Sequence, residues 1–386
     1  MRVLIIHNHY QHPGGEDVVF GQEKDLLGDA AAVSTLTFRN QRGWRGLWQT
    51  LWSPWNIWAG QRVKRAIRQH APTIIHIHNL HYAIGPIAIR IAKRRGIPVV
   101  MTLHNYRLLC PSATLFHNGK VFTESLHTAF PWKAVRLGVH SHSRIKTGWL
   151  ALTVWLHKQL GTWNQVDRYL VLTDFAKQRF VNSSFGVPAT KFTVKPNFAT
   201  GFPLSDQPRG THFLFVGRLA EEKGIDVLLQ AFAHTGHTLR IAGDGPLKDK
   251  VLAYGNQYLH IHYLGALDAQ RIRAELAVCS ALIFPSIWYE GMPMTLLEAF
   301  ASGTPVIASD LGAMAAMIKH GENGWLFAPG DARGLQRRIA EWLELDGTDR
   351  AAIGREAYVC FEQHYTAAVN RVLLLDIYQT LAGTPE

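Results

Sequence analysis

Two glutamates, Glu290 and Glu298, are separated by seven residues in the run Glu290-Gly-Met-Pro-Met-Thr-Leu-Leu-Glu298. Carboxylates accept several hydrogen bonds each, so this pair suits the recognition of sugar or ribose hydroxyls. Two cations, Arg218 and Lys223, stand five apart in Phe213-Leu-Phe-Val-Gly-Arg218-Leu-Ala-Glu-Glu-Lys223-Gly224. Cations so spaced suit the two phosphates of a nucleotide diphosphate, and they stabilise leaving-group charge as that bond breaks. A lysine close to a positive helix N-terminus is a poor choice on its own, so its presence favours a bound anion. Gly14 and Gly15, in His12-Pro13-Gly14-Gly15-Glu16, follow the first apolar run and allow a phosphate to approach backbone N–H groups at a helix start. The spaced three-glycine dinucleotide fingerprint is absent, so NAD binding is not expected. His104 and Asn105 follow the apolar run 98–103 and are placed at the end of a strand, where ligands bind in open α/β sheets.

Short apolar runs alternate with helix-forming segments along the whole chain. Strands are expected at 2–6, 32–38, 73–78, 98–103, 169–172 and 192–194, with helices near 16–27, 61–70, 82–95, 147–161 and 174–182. A stretch rich in Pro, Gly and Ser over 196–210 reads as a linker. The alternation then resumes, with strands at 212–216, 238–242, 259–263, 281–284 and 305–308. Helices near 223–235, 246–255, 268–279, 294–302, 331–345, 350–361 and 366–382 separate or follow them. Such order implies parallel, doubly wound sheets with right-handed crossovers. Glu290 then lies just before a helix N-terminus and Glu298 two turns into that helix, with Gly291, Met292 and Pro293 forming its approach; Pro293 is expected early in the first turn, as its fixed φ allows.

The segment from Glu290 to Glu298, with Gly303-Thr-Pro-Val-Ile-Ala308 after it, resembles the signature of retaining glycosyltransferases of family 4, which have the GT-B fold and a glycogen-synthase-like C-terminal domain. The resemblance covers nearly the whole chain, most specifically its second half and least at 40–70 and 110–165. It implies an α/β protein of two Rossmann-like domains facing each other across a cleft. Residues 1–200 would form an acceptor-side domain and 201–365 a nucleotide-sugar donor domain, with a last helix at 366–386 packing back on the first. It further implies that Gly14, Gly15, Arg218, Lys223, Glu290, Gly291, Met292, Pro293 and Glu298 bind the donor. His104, Glu290, Arg218 and Lys223 carry the catalysis, and His78, His81 and Asn105 line the acceptor side. A nucleotide diphosphate sugar is the donor substrate; no cofactor and no metal are expected. The cluster of His76, His78 and His81, with His7, His9 and His12, invites a metal reading, but no carboxylate accompanies His76 and His78 in sequence, because residues 30–123 contain no Asp or Glu.

The 386 residues carry a net charge of +11, unevenly placed: residues 1–200 are +17 and 201–386 are −6. Thirteen Lys and Arg lie in residues 30–123, and Trp44, Trp48, Trp52, Trp55 and Trp58 are interleaved with them. Trp prefers a membrane–water interface and Lys and Arg prefer anionic headgroups, so this half is expected to dock on an anionic membrane surface; the competing reading is a Trp-rich core under a solvated basic face. Nucleic acid is not an expected partner, since no recognition motif is present. Cys110, Cys279 and Cys360 fit no metal or redox spacing, and the N-terminus runs directly into a strand without a signal-peptide pattern. Together these imply a cytoplasmic enzyme, peripheral on the inner face of the cytoplasmic membrane. The resemblance implies that it transfers a hexosyl group with retention, and the basic, Trp-rich half points to a glycan or lipid-linked acceptor in bacterial surface polysaccharide, lipopolysaccharide or exopolysaccharide assembly. The alternatives are a nucleotide-sugar epimerase or hydrolase of the same fold, and a non-catalytic membrane adaptor.

Overall fold

The protein is described from a computed structural model over residues 1–10, 14–28, 30–201, 204 and 209–383. His12 and Pro13 of the glycine loop, and Pro203, Ser205 and Pro208 of the linker, lie outside the described residues. The chain divides into two compact units. Met1–Leu115, Phe122–Pro196 and Asn370–Glu386 form the first, and Phe116–Val121 with Asn197–Val369 form the second.

In chain order the elements up to the break are β1 (Arg2–His9), α1 (Gly15–Leu27), β2 (Ala32–Arg39), α2 (Gly43–Trp52), α3 (Ile57–His70), β3 (Ile74–Ile77), α4 (Ile87–Lys93), β4 (Val99–Leu103), the short hairpin β5 (Phe116–His117) and β6 (Lys120–Val121), α5 (Trp132–Leu137), α6 (Arg144–Gln159), β7 (Arg168–Val171), α7 (Asp174–Val181) and β8 (Phe192–Val194). The first unit's sheet has the order β2-β1-β3-β4-β7-β8, and every pairing in it is parallel. Its central strands β3 and β4 are buried along their whole length, as strands covered on both faces must be. Asn56 starts α3 by accepting from the Ala59 N–H at 3.0 Å, and Thr173 caps α7 in the same way at 3.1 Å.

The second unit continues with β9 (Phe213–Val216), α8 (Ile225–Phe232), β10 (Leu239–Ala242), α9 (Lys248–Gln257), β11 (Ile261–Gly265), α10 (Ala269–Val278), β12 (Ala281–Phe284), α11 (Met294–Ala301), β13 (Val306–Ser309), α12 (Gly312–Met317), β14 (Gly324–Phe327), α13 (Ala332–Glu344) and α14 (Gly347–His364). Its parallel sheet runs β11-β10-β9-β12-β13-β14. Phe213, Phe215, Leu228, Phe232, Ile241 and Ile283 are among the buried residues of its core. The final helix, α15 (Ala367–Ala382), places Leu374, Ile377 and Tyr378 in a core with Val3, Ile5, Ile74 and Val100 of the first unit's sheet.

Six helical or strand elements have no counterpart in the sequence pattern, two of them the two-residue strands β5 and β6. α2 has no buried residue, although Trp44, Leu47, Trp48, Leu51 and Trp52 recur at helical spacing. α5 and α12 are six residues each, too short to show a period, and β14 is a four-residue edge strand of mixed burial. Among the described residues no helix is long and apolar enough to cross a membrane.

Candidate active site

Each sheet reverses its strand order once, and the carboxyl ends of the strands on either side of that reversal leave a crevice. In the second unit the reversal falls between β9 and β12. Arg218 follows β9, and the segment 285–290 follows β12. Gly224 has φ +71, and a Cβ there would meet the Pro285 carbonyl oxygen at 1.9 Å. Glycine alone permits that approach, and it brings the neighbouring Lys223 to the 285–290 segment. Lys223 Nζ lies 2.7 Å from Glu290 Oε1, and Ser286 Oγ donates to the same oxygen at 2.6 Å. The ammonium also faces the rings of Trp288 and Phe284, 5.4 and 5.7 Å from their centroids. Glu290 is buried, so its charge needs this cation.

Arg218 is placed differently from Lys223. Its side chain is 62% exposed and ion-paired with Glu222. One cation is sequestered against a carboxylate and the other is held at the surface by a second one. Pro293 is corrected by one position. It is the extended residue that precedes α11, not a member of its first turn. Before it, Gly291 leads into Met292, which is buried and whose Sδ accepts from the Asn197 N–H at 3.2 Å. Glu298 lies in α11, where burial raises its carboxyl above the ordinary range against the opposing charge of Arg273.

In the first unit the reversal falls between β1 and β3. Gly14 precedes α1, and its N–H donates to Asp17 Oδ2 at 2.9 Å. A Cβ on Gly14 or Gly15 would meet nothing within 4 Å, so the protein itself does not require glycine there. Asp17 Oδ1 is shared by His7 Nε2 at 2.9 Å and His9 Nδ1 at 2.6 Å. Burial pushes His7 down to about 4 despite the hydrogen bond to Asp17.

His104 follows β4. Its ring stacks on that of His78, with centroids 5.3 Å apart, and His104 Nε2 lies 3.1 Å from His78 Nδ1. On its other side, His78 Nε2 faces Glu23 Oε2 at 3.2 Å. A carboxylate at that distance favours the proton on His78 Nε2. Nδ1 then accepts from His104, which keeps its own Nδ1 unprotonated. Burial, with the nearby charge of His78 second, holds His104 well below the usual histidine range, so it is neutral.

Glu23 overturns the reasoning that His76 and His78 have no carboxylate beside them. It comes from α1 and is fully buried. Burial alone would raise its carboxyl, but Lys195 and His78 outweigh that and hold it well below the usual range. Glu23, His76 and His78 bring three ligand atoms within 4.8 Å of one another, as do His7, His9 and Asp17. In the first trio Lys195 Nζ already pairs with Glu23, and both ring nitrogens of His76 are engaged, Nε2 with Thr102 Oγ1 at 2.7 Å and Nδ1 with the Tyr378 hydroxyl at 2.6 Å.

On the expected acceptor side, Asn105 Nδ2 donates to Glu16 Oε1 at 2.5 Å. Burial pushes Glu16 up to about 7, with Asn105 and Arg107 opposing. His81 is driven well below its ordinary range by burial, then by Arg107 and His140. The structure thus gathers His78, His104 and Asn105 at the ends of β3 and β4. It gathers Lys223, Glu290 and Ser286 at the end of β12.

Sequence reasoning missed Glu23, Lys195, Tyr378 and Ser286. Glu23 did carry a signal, since it interrupts the buried stripe of Val19, Phe20 and Leu27 on α1. The Trp-rich segment, left open between surface and core, is exposed: Trp44 is 68% and Trp58 60% accessible, and Trp48, Trp52 and Trp55 are exposed too.

Residues 205–359 match the family model of glycosyl transferases group 1, and residues 17–199 match that of Glycosyltransferase Family 4. An exopolysaccharide phosphotransferase of Streptomyces coelicolor is 36% identical over 191 residues, which are 46% of this chain and 20% of that protein. Glycogen synthase of Mycobacterium tuberculosis is 26% identical over 363 residues, 90% of this chain and 76% of that protein. The chain therefore spans about a fifth of the first relative and three quarters of the second. A crystal structure of the Anabaena protein HepE in complex with UDP matches with a TM-score of 0.71 at 17% identity, covering 99% of this chain and 100% of that one. A likeness at that identity speaks for the fold, which is α/β with two parallel-sheet, Rossmann-like domains of the GT-B type. Each half of the chain thus matches a glycosyltransferase family model, Family 4 in the first half and group 1 in the second.

Proposed function

We propose that the protein is a retaining hexosyltransferase that moves a sugar from a nucleotide diphosphate sugar to an acceptor hydroxyl. The observation that carries this reading is the cluster of half-buried Lys223 with buried Glu290 and Ser286 at the sheet's reversal point. In this reading Lys223 and Arg218 hold the donor diphosphate, and Glu298 binds the ribose. Glu290 meets the sugar hydroxyls, with the backbone of Gly291, Met292 and Pro293 beside it, and Gly14 and Gly15 leave room for a phosphate oxygen. His104 serves the reacting sugar as a neutral hydrogen-bonding group. The bond from the anomeric carbon to the phosphate oxygen breaks, the acceptor oxygen bonds to that carbon on the same face, and the acceptor proton passes to the departing phosphate. Protein cations neutralise the leaving group, so neither a metal nor another cofactor is called for. The solved neighbour's complex with UDP supports a nucleotide-sugar donor, and the exopolysaccharide relative supports a role in polysaccharide assembly.

The exposed tryptophans and the basic charge of the first half support an anionic membrane surface as a partner, a lipid-linked glycan as acceptor, and a location on the inner face of the cytoplasmic membrane. One observation favours a nucleotide-sugar epimerase or hydrolase instead: Glu16, pushed up to about 7, is poised for proton transfer. The deciding experiment incubates purified protein with a panel of nucleotide sugars, with and without lipid-linked acceptors. Transfer that requires acceptor supports the proposal. Acceptor-independent hydrolysis or epimerisation at full rate supports the second reading, and no turnover with any donor removes both.

A further inference from the structure

α2 stands between two cavities of opposite character. The first, of about 680 Å³, is lined by Arg42, Arg107, Lys146, His140, Tyr82 and Gln49 among others, with no carboxylate in its wall. The second, of about 400 Å³, is lined by Trp44, Trp48, Trp52, Trp58, Phe38 and Arg62 among others. Gln41 and Gln49 line both. Volumes of this size hold a substrate group.

The charged cavity is built, not incidental. Arg107 is buried, with Nη1 donating to the Pro111 carbonyl at 3.2 Å, and its Nε is buried without a protein partner. A buried guanidinium with an unmet N–H calls for an acceptor. Tyr82 and Ser141, both in the wall, have φ of +72 and +53, strain that non-glycine residues hold where the surroundings enforce it. The Tyr82 hydroxyl lies 2.9 Å from His140 Nε2, which fixes its direction. Gly46 of α2 is required for the shape: a Cβ there would meet the Gln41 carbonyl oxygen at 2.3 Å and displace the loop that carries Arg42.

We propose that this pair of cavities is the acceptor site and that the acceptor is a phosphate-bearing lipid. Its phosphate is held by Arg107, Arg42 and Lys146, and its hydrocarbon chain lies along the tryptophan face of α2. This rests on the glycosyltransferase reading and narrows its acceptor to one chemical class. Charge complementarity selects the head, since three cations line a half-open cavity whose wall has no carboxylate. The shared lining by Gln41 and Gln49 favours an amphiphile over a free anion, because the cation-lined cavity and the tryptophan-lined one lie only about a helix width apart. A bidentate guanidinium favours phosphate oxygens over a single hydroxyl.

The test titrates the full chain with farnesyl diphosphate, inorganic diphosphate, farnesol and glucuronic acid, each with UDP present to occupy a donor phosphate site. Farnesyl diphosphate is expected to bind at least about tenfold more tightly than inorganic diphosphate or farnesol, and glucuronic acid not at all. Arg42→Gln with Lys146→Gln, both at exposed positions, should bring farnesyl diphosphate down to the affinity of farnesol. Trp44→Ala with Trp48→Ala should bring it down to that of inorganic diphosphate. Thermal melting of each variant verifies folding. Equal affinity for farnesyl diphosphate and farnesol, or for farnesyl diphosphate and inorganic diphosphate, overturns the proposal. So does binding untouched by the Arg42/Lys146 pair. Failure of UDP itself to bind while farnesyl diphosphate behaves as expected counts against the glycosyltransferase reading and supports the lipid-phosphate site.

Discussion

Lys223 Nζ lies 2.7 Å from Glu290 Oε1, although 67 residues separate them in the chain. The ion pair holds the ammonium in place before any donor arrives. An incoming diphosphate then meets a cation whose position has already been set, and that lowers the reorganisation needed as leaving-group charge develops. Lys223→Ala should therefore lower kcat by a factor of hundreds, about 3–4 kcal/mol of transition-state stabilisation. Arg218→Ala should also lower it, through the second phosphate. Steady-state kinetics on the purified variants checks both, and wild-type kcat in Lys223→Ala would remove the leaving-group role.

The Glu23–Lys195 pair joins α1 to the residue after β8, and both side chains are fully buried. Replacing one member strands the other charge in the core. Glu23→Gln and Lys195→Met should each destabilise the protein by about 3–5 kcal/mol, and the double variant by less than the sum. Denaturant unfolding of the three variants measures this. Single variants within experimental error of wild type would mean that the pair is not held as described.

Stability should fall on acidification below pH 6.5. His7 and His140 are pushed down from 6.5 to about 4 by burial, and His76, His81 and His104 are held well below 6.5. Between about pH 4 and 6.5 the unfolded chain binds protons that the folded chain refuses, so stability rises with pH across that window and is complete above it. Glu16 acts in the opposite sense. Its pKa, raised to about 7, gives a contribution present below 4.5 and lost as pH rises through 7. Five histidines outweigh one glutamate, and the melting temperature at pH 5 should lie below that at pH 7.5. A flat or inverted profile would contradict the buried, neutral histidines.

Activity should survive excess EDTA, since Lys223 and Arg218 are proposed to neutralise the departing phosphate. Abolition with rescue by Mn²⁺ or Mg²⁺ would assign a metal, with Glu23, His76 and His78 or His7, His9 and Asp17 as the trios to mutate.

The first half should pellet with phosphatidylglycerol vesicles and release as salt shortens the screening length. Substituting Trp44, Trp48, Trp52 and Trp55 by Ala should abolish pelleting without unfolding the protein, because all four are exposed. Equal pelleting with neutral vesicles would show that charge contributes nothing.

The sequence by itself determined what is local. Apolar runs marked almost every strand, including β3, β4, β9 and β12, because a buried parallel strand must be apolar on both faces. The spacing of Glu290 and Glu298, and of Arg218 and Lys223, was visible for the same reason, since each pair sits on one loop or helix start. Only the tertiary structure decided which charges meet. Glu23 and Lys195 are 172 residues apart, and Tyr378 reaches His76 across 302. One of four acids on α1, Glu23 reads as a solvated residue until the sheet order brings β3 and β8's end beside it. The same holds for the tryptophans of α2. Composition shows that they are numerous, but whether a ring is core or surface depends on what packs over it, and no residue of α2 is buried.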